Sequence, residues 1–532
     1  MGTIMRSRKW LWTTLVVLLS AALVTAQDAG KEQTEDRALE EETALSVDVT
    51  PRKAIALSMR DAITLTLKNN MNIRISEINP KTAAADITGA EAQFDWSFVG
   101  SYAKSYSMTP QDDYETTGDR DRASSDKISV GLKKSLTTGG AIEPTLSWTR
   151  SGQFPEDPDD TNPLYTTSAY IKITQPLLRN AGSAVTLSNV RAARNNAEIA
   201  RYNFRTNVIN TLSEMQRTYW DLVFAIEDLN VKKKSLRLTK DTLAQTRAQV
   251  DAGILARIET TRVRADVATK EEAILNAQRT VEDSEDEIRR FINKRGSNLA
   301  NNVGVVPLER AGFKPVRIDL TTEISQALMF RPDYLSAKIA LKNRDIEIVV
   351  AKNGKLPVVD VSATLGLNGY GGDTGITCNA MKTRDFYNWS GGVSVEVPLG
   401  GNRAARSGYL KALLAKRKAL DEITDLEHEI IINVKQAARQ VVTNHKRIRS
   451  SRLARELAEE RLQAEEEKFR VGEAVILDVL EAQTLLAENE SNERRAIVDY
   501  NKSLISLEAA KGTLLVRDRI IVDTRTGRPS MR

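Results

Sequence analysis

The sequence predicts a mainly α fold with a transmembrane β section, built twice over. Three observations carry this: four long stretches without glycine or proline, an internal repeat that pairs them, and blocks of alternating apolar and polar residues between them. The 532 residues are 28% charged and 41% hydrophobic, with a mean hydropathy of −0.36. That is too long for one ordinary core and too polar for a bundle of membrane helices.

Residues 1–26 have the parts of a secretory signal peptide: basic Arg6, Arg8 and Lys9, an apolar run from Trp10 to Val24, and small residues at Val24-Thr25-Ala26. The apolar run is shorter than the roughly 20 residues a spanning helix needs. Without this segment the net charge falls from +5 to +2, so the basic balance does not point to nucleic acid. Residues 27–54 are acidic and lack apolar periodicity, which reads as a disordered leader. The single cysteine, Cys378, has no partner within the chain, so no disulfide frame is available.

Repeat 1 is expected over 55–296, a linker over 297–317, repeat 2 over 318–512 and a tail over 513–532. No breaker interrupts Ser183–Ala252 or Ile254–Arg295, and the second half repeats this with Tyr409–Val471 and Glu473–Lys511. Phe204, Val208, Leu212, Met215, Tyr219 and Leu222 recur at three and four residue steps, and Leu229, Leu236, Leu243 and Val250 continue at sevens. A helix of this length is about 100 Å long. Such helices cannot fold into a compact ball and must pack along one another; a single glycine, Gly253 or Gly472, separates the members of each pair.

Adding 219 maps Met215, Leu222, Leu229 and Gly253 onto Val434, Val441, Ile448 and Gly472. Earlier in each half the offset is 261, as from Ile63 to Ile324, so repeat 1 carries about 40 extra residues, the length of a hairpin with its loop. The intervening segments read as strands: Phe94–Tyr106, Lys127–Leu136, Ala141–Arg150 and Tyr165–Gln175 in repeat 1, and two blocks in repeat 2 around Val359–Leu367 and Val393–Val397. Thr109–Asp126 and Gly152–Asn162 read as polar loops, and the glycines Gly366, Gly369, Gly371, Gly372 and Gly375 as a loop at a strand end. Each strand has one apolar face and about the 9–11 residues a membrane strand needs. At most six strands cannot close a membrane barrel alone, so several copies must share one. Whether the extra hairpin joins that barrel stays open at this level.

These residues resemble the TolC-like outer-membrane efflux proteins, the outer membrane factors. The resemblance spans roughly residues 55–512 and rests on the duplication, on Leu328 followed by Arg331-Pro332-Asp333-Tyr334, and on Gln175-Pro176-Leu177-Leu178 and Val397-Pro398-Leu399-Gly400-Gly401 at matching strand ends. Its most specific part is Phe469-Arg470-Val471-Gly472 with Ile476-Leu477-Asp478-Val479-Leu480-Glu481-Ala482-Gln483. The resemblance implies a homotrimer in which the helical hairpins form a periplasmic α-barrel, continued by a trimer-shared β-barrel in the outer membrane. It implies an exit duct of a tripartite efflux or type I secretion system, partnered by a periplasmic adaptor and an inner-membrane pump, in contact with outer-membrane lipid and without nucleic acid. It places the adaptor-docking tips at Gly253, Arg257, Gly472 and Ala474, and an acidic constriction at Asp478, Glu481 and Glu259. The family's basic latch residue after the second glycine is replaced by Ala474, which leaves Arg257 as another candidate partner.

Trp96, Trp148 and Trp389 fall on predicted strands or their ends, as membrane-interface aromatics do. His428 and His445 are not at metal-ligand spacing, the glycine cluster lacks a phosphate loop's Lys-Ser/Thr, and no nucleophile, base and oxyanion set is present. No enzyme activity, cofactor or metal is expected. An exported coiled-coil scaffold of the periplasm is the rival reading; it accounts for the heptads but not for alternating strands at matching places in both repeats.

Overall fold

A computed structural model describes residues 54–110, 120–154, 164–292, 304–310, 312–384, 386–522 and 529–531. The expected signal segment and nearly all of the leader lie outside these residues. The chain divides into two units, a small one of residues 1–56 with 298–306 and a large one of 57–297 with 307–532. The described residues of the small unit belong to strands β1 (Ala54–Leu57) and β6 (Gly304–Pro307), which pair with each other. Everything that follows lies in the large unit.

The first half runs α1 (Met59–Asn69), α2 (Met71–Ser76), α3 (Ile78–Glu91), β2 (Ser97–Pro110), β3 (Arg120–Ser135), β4 (Ala141–Phe154), β5 (Leu164–Pro176), a single turn α4 (Ser183–Thr186), then α5 (Ser188–Asp251) and α6 (Arg257–Ile292). The second runs α7 (Leu320–Phe330), α8 (Pro332–Asn353), β7 (Val358–Gly371), α9 (Thr374–Thr383), β8 (Phe386–Glu396), α10 (Arg403–Val471) and α11 (Ile476–Lys511). It ends in a short helix α12 (Leu514–Arg517) and a small pair, β9 (Ile520–Val522) with β10 (Pro529–Met531). Local chemistry sets the boundaries. Ser58 caps α1 by accepting the Asp61 N–H at 3.1 Å, and Asp319 caps α7 from Thr321. Pro332 opens α8 at a position where its missing N–H costs nothing.

The 64 residues of α5 and 69 of α10 give helices of about 96 and 104 Å at 1.5 Å per residue. Along α5 the predicted apolar stripe is buried from Phe204 through Val208, Leu212, Met215 and Tyr219 to Leu222. Beyond that the seam changes character. Leu229, Leu236, Leu243 and Val250 are only half-buried, and the closed positions are Ser235, Thr239, Thr242 and Thr246. Small side chains let the neighbouring helices approach. The threonine hydroxyls are satisfied by donating to carbonyls one turn back, Thr239 to Ser235 at 3.2 Å, Thr242 to Leu238 at 3.0 Å and Thr246 to Thr242 at 2.9 Å. In the second half Val434, Val441 and Ile448 form one core with Ile497, Tyr500 and Leu507 of α11. Leu413 and Leu420, further up α10, are exposed.

Six strands form one antiparallel sheet in the order β2-β3-β4-β5-β7-β8. The extra hairpin, β3 with β4, is therefore part of the sheet. The strands are longer than predicted: residues 109–110, 120–126 and 152–154, read as loop from their polarity, belong to β2, β3 and β4. A ladder is held by backbone bonds and continues wherever a partner strand is present, whatever the side chains. The glycine cluster is also corrected. Gly366, Gly369 and Gly371 lie within β7, and Gly375 lies in α9, which packs across β7 and β5. A Cβ on Gly369 would stand 1.9 Å from the Thr377 carbonyl oxygen and one on Gly371 would meet Ile376, so these two glycines clear a seat for this helix.

Candidate functional site

The two hairpin tips follow from backbone geometry. Gly253 (φ +77°) and Gly472 (φ +82°) both adopt the left-handed conformation, and each stands just past a long helix. Past them the chain bonds back to the helix ends, Ile254 N–H to Gln249 O at 2.8 Å and Glu473 N–H to Lys468 O at 2.9 Å. Val263 of α6 joins Ile476 and Leu480 of α11 in a buried cluster against Leu243 and Phe469. This cluster clamps the two tips together. Arg257 is exposed and opens α6; Ala474 is half-buried in the second turn.

The three candidate acids differ in their surroundings. Glu259 is bound through both carboxylate oxygens by Arg262, at 2.9 and 3.2 Å. Its partner is thus Arg262 rather than Arg257, because three residues separate neighbours on a helix face. Asp478 accepts the Val475 N–H at 3.2 Å and so caps α11. Glu481 is exposed, has no ion pair among the described residues, and borders an open groove with Arg262, Asp266 and Arg461. Deeper, Gln483 donates to Thr242 at 3.0 Å, and the buried Lys270 donates to Thr484 at 3.1 Å.

At the sheet, the registers place Phe98, Tyr102, Ile128, Leu146, Trp148, Ile171, Leu365 and Trp389 on one face, and Ser129, Ser147, Ser168 and Asn368 on the other. Trp148 and Trp389 share the apolar face; Trp96 immediately precedes β2, with Lys134 over its ring at 5.3 Å. Near the end of the sheet where β7 gives way to α9, Trp148 packs on Tyr165 at 5.8 Å and Tyr370 on Phe386 at 5.5 Å. At the opposite end the Gln175-Pro176-Leu177-Leu178 segment is tied to the start of β7. Leu177 N–H donates to Val359 O at 2.8 Å, and the Asn353 side chain accepts from Asn180 at 2.7 Å and donates to Leu178 at 3.0 Å.

Over residues 145–294 and 324–513 the chain matches the outer membrane efflux protein family. The chain belongs to that family. The chain is 24% identical over 387 residues to the outer membrane protein TolC of Vibrio cholerae serotype O1, an alignment covering 71% of this chain and 82% of that one. It is 22% identical over 333 residues to nodulation protein T of Rhizobium leguminosarum bv. trifolii, covering 60% of this chain and 66% of that one. The outer membrane channel CmeC of Campylobacter jejuni has the same fold, with a TM-score of 0.63 at 16% identity, covering 86% of each chain.

The segment Arg331-Pro332-Asp333-Tyr334 has a structural role. Arg331 donates to Asp333 at 3.0 Å from Nε and to the Ala510 carbonyl at 3.3 Å, so it ties α8 to the end of α11. Gly512 (φ +74°) passes so close that a Cβ would lie 3.0 Å from Arg331 Cα. Burial pushes the Asp333 carboxyl up, but the Arg331 guanidinium and the Tyr334 N–H together hold the group below the usual carboxylate range. Burial lowers Lys511, yet its contacts with Glu323 at 2.6 Å and Glu508 at 2.8 Å hold it above the usual lysine range. Tyr334 donates to Glu427.

Sequence reasoning missed Arg262, the threonine seam and the tyrosines of the sheet end. The first was legible, since Arg262 stands three residues after Glu259. Among the described residues no group of three or more His, Cys, Asp and Glu is placed to hold a metal ion, and no helix is long and apolar enough to cross a membrane.

Proposed function

We propose that this efflux-family protein is a homotrimeric channel of the outer membrane that extends into the periplasm and serves as the exit duct of a tripartite efflux or type I secretion system. It moves small molecules or proteins passively and makes no covalent change. The observation that carries the reading is the sheet: an apolar face and a polar face, six strands, and two edges with no strand beside them among the described residues. In lipid such edges leave backbone groups without partners, and copies of the chain remove them by closing a common barrel, apolar face outward. Exposed Leu410, Leu414, Leu453 and Leu457 along α10 give the helices a further surface for neighbouring copies.

The tips, with Gly253, Arg257, Gly472 and Ala474, are the proposed docking site for a periplasmic adaptor beneath an inner-membrane pump. Three copies of Glu481 and Asp478, with Glu259 nearby, make a negative constriction that favours cations. Trp96, Trp148 and Trp389 meet the lipid interfaces. Purified protein in a planar bilayer tests this. The expected result is a cation-selective channel whose block by divalent cations weakens in the Asp478→Ala, Glu481→Ala double variant; a variant channel identical to the parent removes the constriction role, and absence of any conductance removes the duct.

A further inference from the structure

We infer that the membrane section closes as a barrel of eighteen strands, in which β2 of one copy pairs with β8 of the next and the extra β3–β4 hairpin is part of the wall. The inference rests on the channel reading above and adds the strand count and the edges that meet. Four of the six strands adjoin helices: β2 follows α3, β5 leads to α4 and α5, β7 follows α8, and β8 leads into α10. The hairpin alone adjoins none, and if it stood outside the wall, β2 would have to pair with β5 and three copies would give twelve strands. In this chain β2 is paired with β3 along its whole length, from Ser97 opposite Lys133 to Pro110 opposite Arg120. β5 is likewise occupied by β4 on one side and β7 on the other.

The hairpin's turn is also built into the junction. Gly182 donates to the Thr138 carbonyl at 2.9 Å, and the Thr138 hydroxyl meets Gln175 at 2.9 Å. Gly139 has φ +98°, and a Cβ there would stand 2.2 Å from the Asn180 carbonyl oxygen. The segment 175–182, which leads from β5 to the long helix, is thus shaped to this turn, which an appended hairpin would not require.

The free edges fit each other. Six antiparallel strands make β2 and β8 run in opposite directions, so β8 of one copy meets β2 of the next as an antiparallel pair. Their 14 and 11 residues both suffice to span the hydrocarbon layer. Their faces also match: Phe98 and Tyr102 on β2 share the apolar face with Tyr387, Trp389 and Val393 on β8, and both strands are exposed along their length. An eighteen-stranded wall encloses a lumen about one and a half times as wide as a twelve-stranded one.

Disulfide trapping in the outer membrane tests this in the full chain, with Cys378→Ser removing its one cysteine. Tyr102→Cys is combined in turn with Tyr387→Cys, Trp389→Cys and Gly391→Cys, all on one face. Within a chain β2 and β8 are five ladders apart, about 24 Å along the sheet, so any disulfide joins two copies. At least one pair is expected to yield covalent dimers and trimers, and Tyr102→Cys with Asn388→Cys, on the opposite face, at least about fivefold less. In single-cysteine trimers, a charged thiol reagent is expected to label Ser129→Cys on the hairpin at least about fivefold faster than Val130→Cys. A trimer that gives no same-face disulfide, or equal labelling at 129 and 130, overturns the eighteen-stranded closure alone. A protein that remains a monomer overturns the channel reading with it.

Discussion

The two hairpin tips descend from one pattern and differ in charge. The offset of 219 maps Gly253 onto Gly472, Glu259 onto Asp478 and Arg262 onto Glu481. In the first tip the acid is neutralised by a base one turn on, through two hydrogen bonds. In the second, the base has become a second acid, and Asp478 turns to the Val475 N–H instead. Identical backbone turns thus carry a balanced tip and a negative one, and Glu481 is the exposed acid of the proposed constriction. Ala474, between the second glycine and Asp478, contributes no charge.

The largest effect is expected where α8 meets the end of α11. Asp333→Asn, which removes the ion pair with Arg331, is expected to destabilise the protein by about 1–2 kcal/mol, read as a lower midpoint of denaturant unfolding. Because the folded state holds the Asp333 carboxyl below its unfolded value, the contribution is present above the ordinary carboxylate range and lost as pH falls through the folded value. The variant is therefore expected to have a flatter acid limb. Lys511, held high, behaves oppositely: its contribution persists through neutrality and is lost as pH rises through the folded value.

At the tips, Arg262→Glu makes the first like the second. It is expected to raise cation preference by about tenfold, on the order of 1 kcal/mol for charges some 8 Å apart at an effective dielectric near 20 to 40. Reversal potentials across a salt gradient read this, and an unchanged potential would mean that the first tip does not face the pore. Gly253→Ala and Gly472→Ala should cost about 1 kcal/mol each, and by equal amounts, since both glycines have positive φ and nothing lies within 4 Å of either Cβ position. Unequal costs would break the equivalence of the turns. Smallest is Asp478→Ala, expected to remove about 0.5–1 kcal/mol of cap energy while changing selectivity less than Glu481→Ala does.

Much of the helical architecture was legible because breakers and periods act locally. The Gly- and Pro-free run from Tyr409 to Val471 became the body of α10, and both tip glycines stand where the runs end. The seam of α5 below Leu222 was not legible as such: Ser235, Thr239, Thr242 and Thr246 have helical spacing, but a search for apolar side chains passes over hydroxyls that close a seam by bonding to their own helix. Helix α9 was hidden in a glycine cluster because part of its seat comes from β5, where Thr167 meets Thr377 across more than two hundred residues of sequence. The surroundings of the candidate acids were not legible. The pairing of Glu259 with Arg262 and the capping by Asp478 depend on rotamers and local geometry that residue types alone leave open.

Copies of this chain are proposed to share one membrane barrel. The most direct test is the mass of the protein extracted from outer membranes in mild detergent, run with and without heating before denaturing electrophoresis. A heat-modifiable trimer in the outer-membrane fraction is the predicted result. A monomer in the soluble periplasmic fraction contradicts the account.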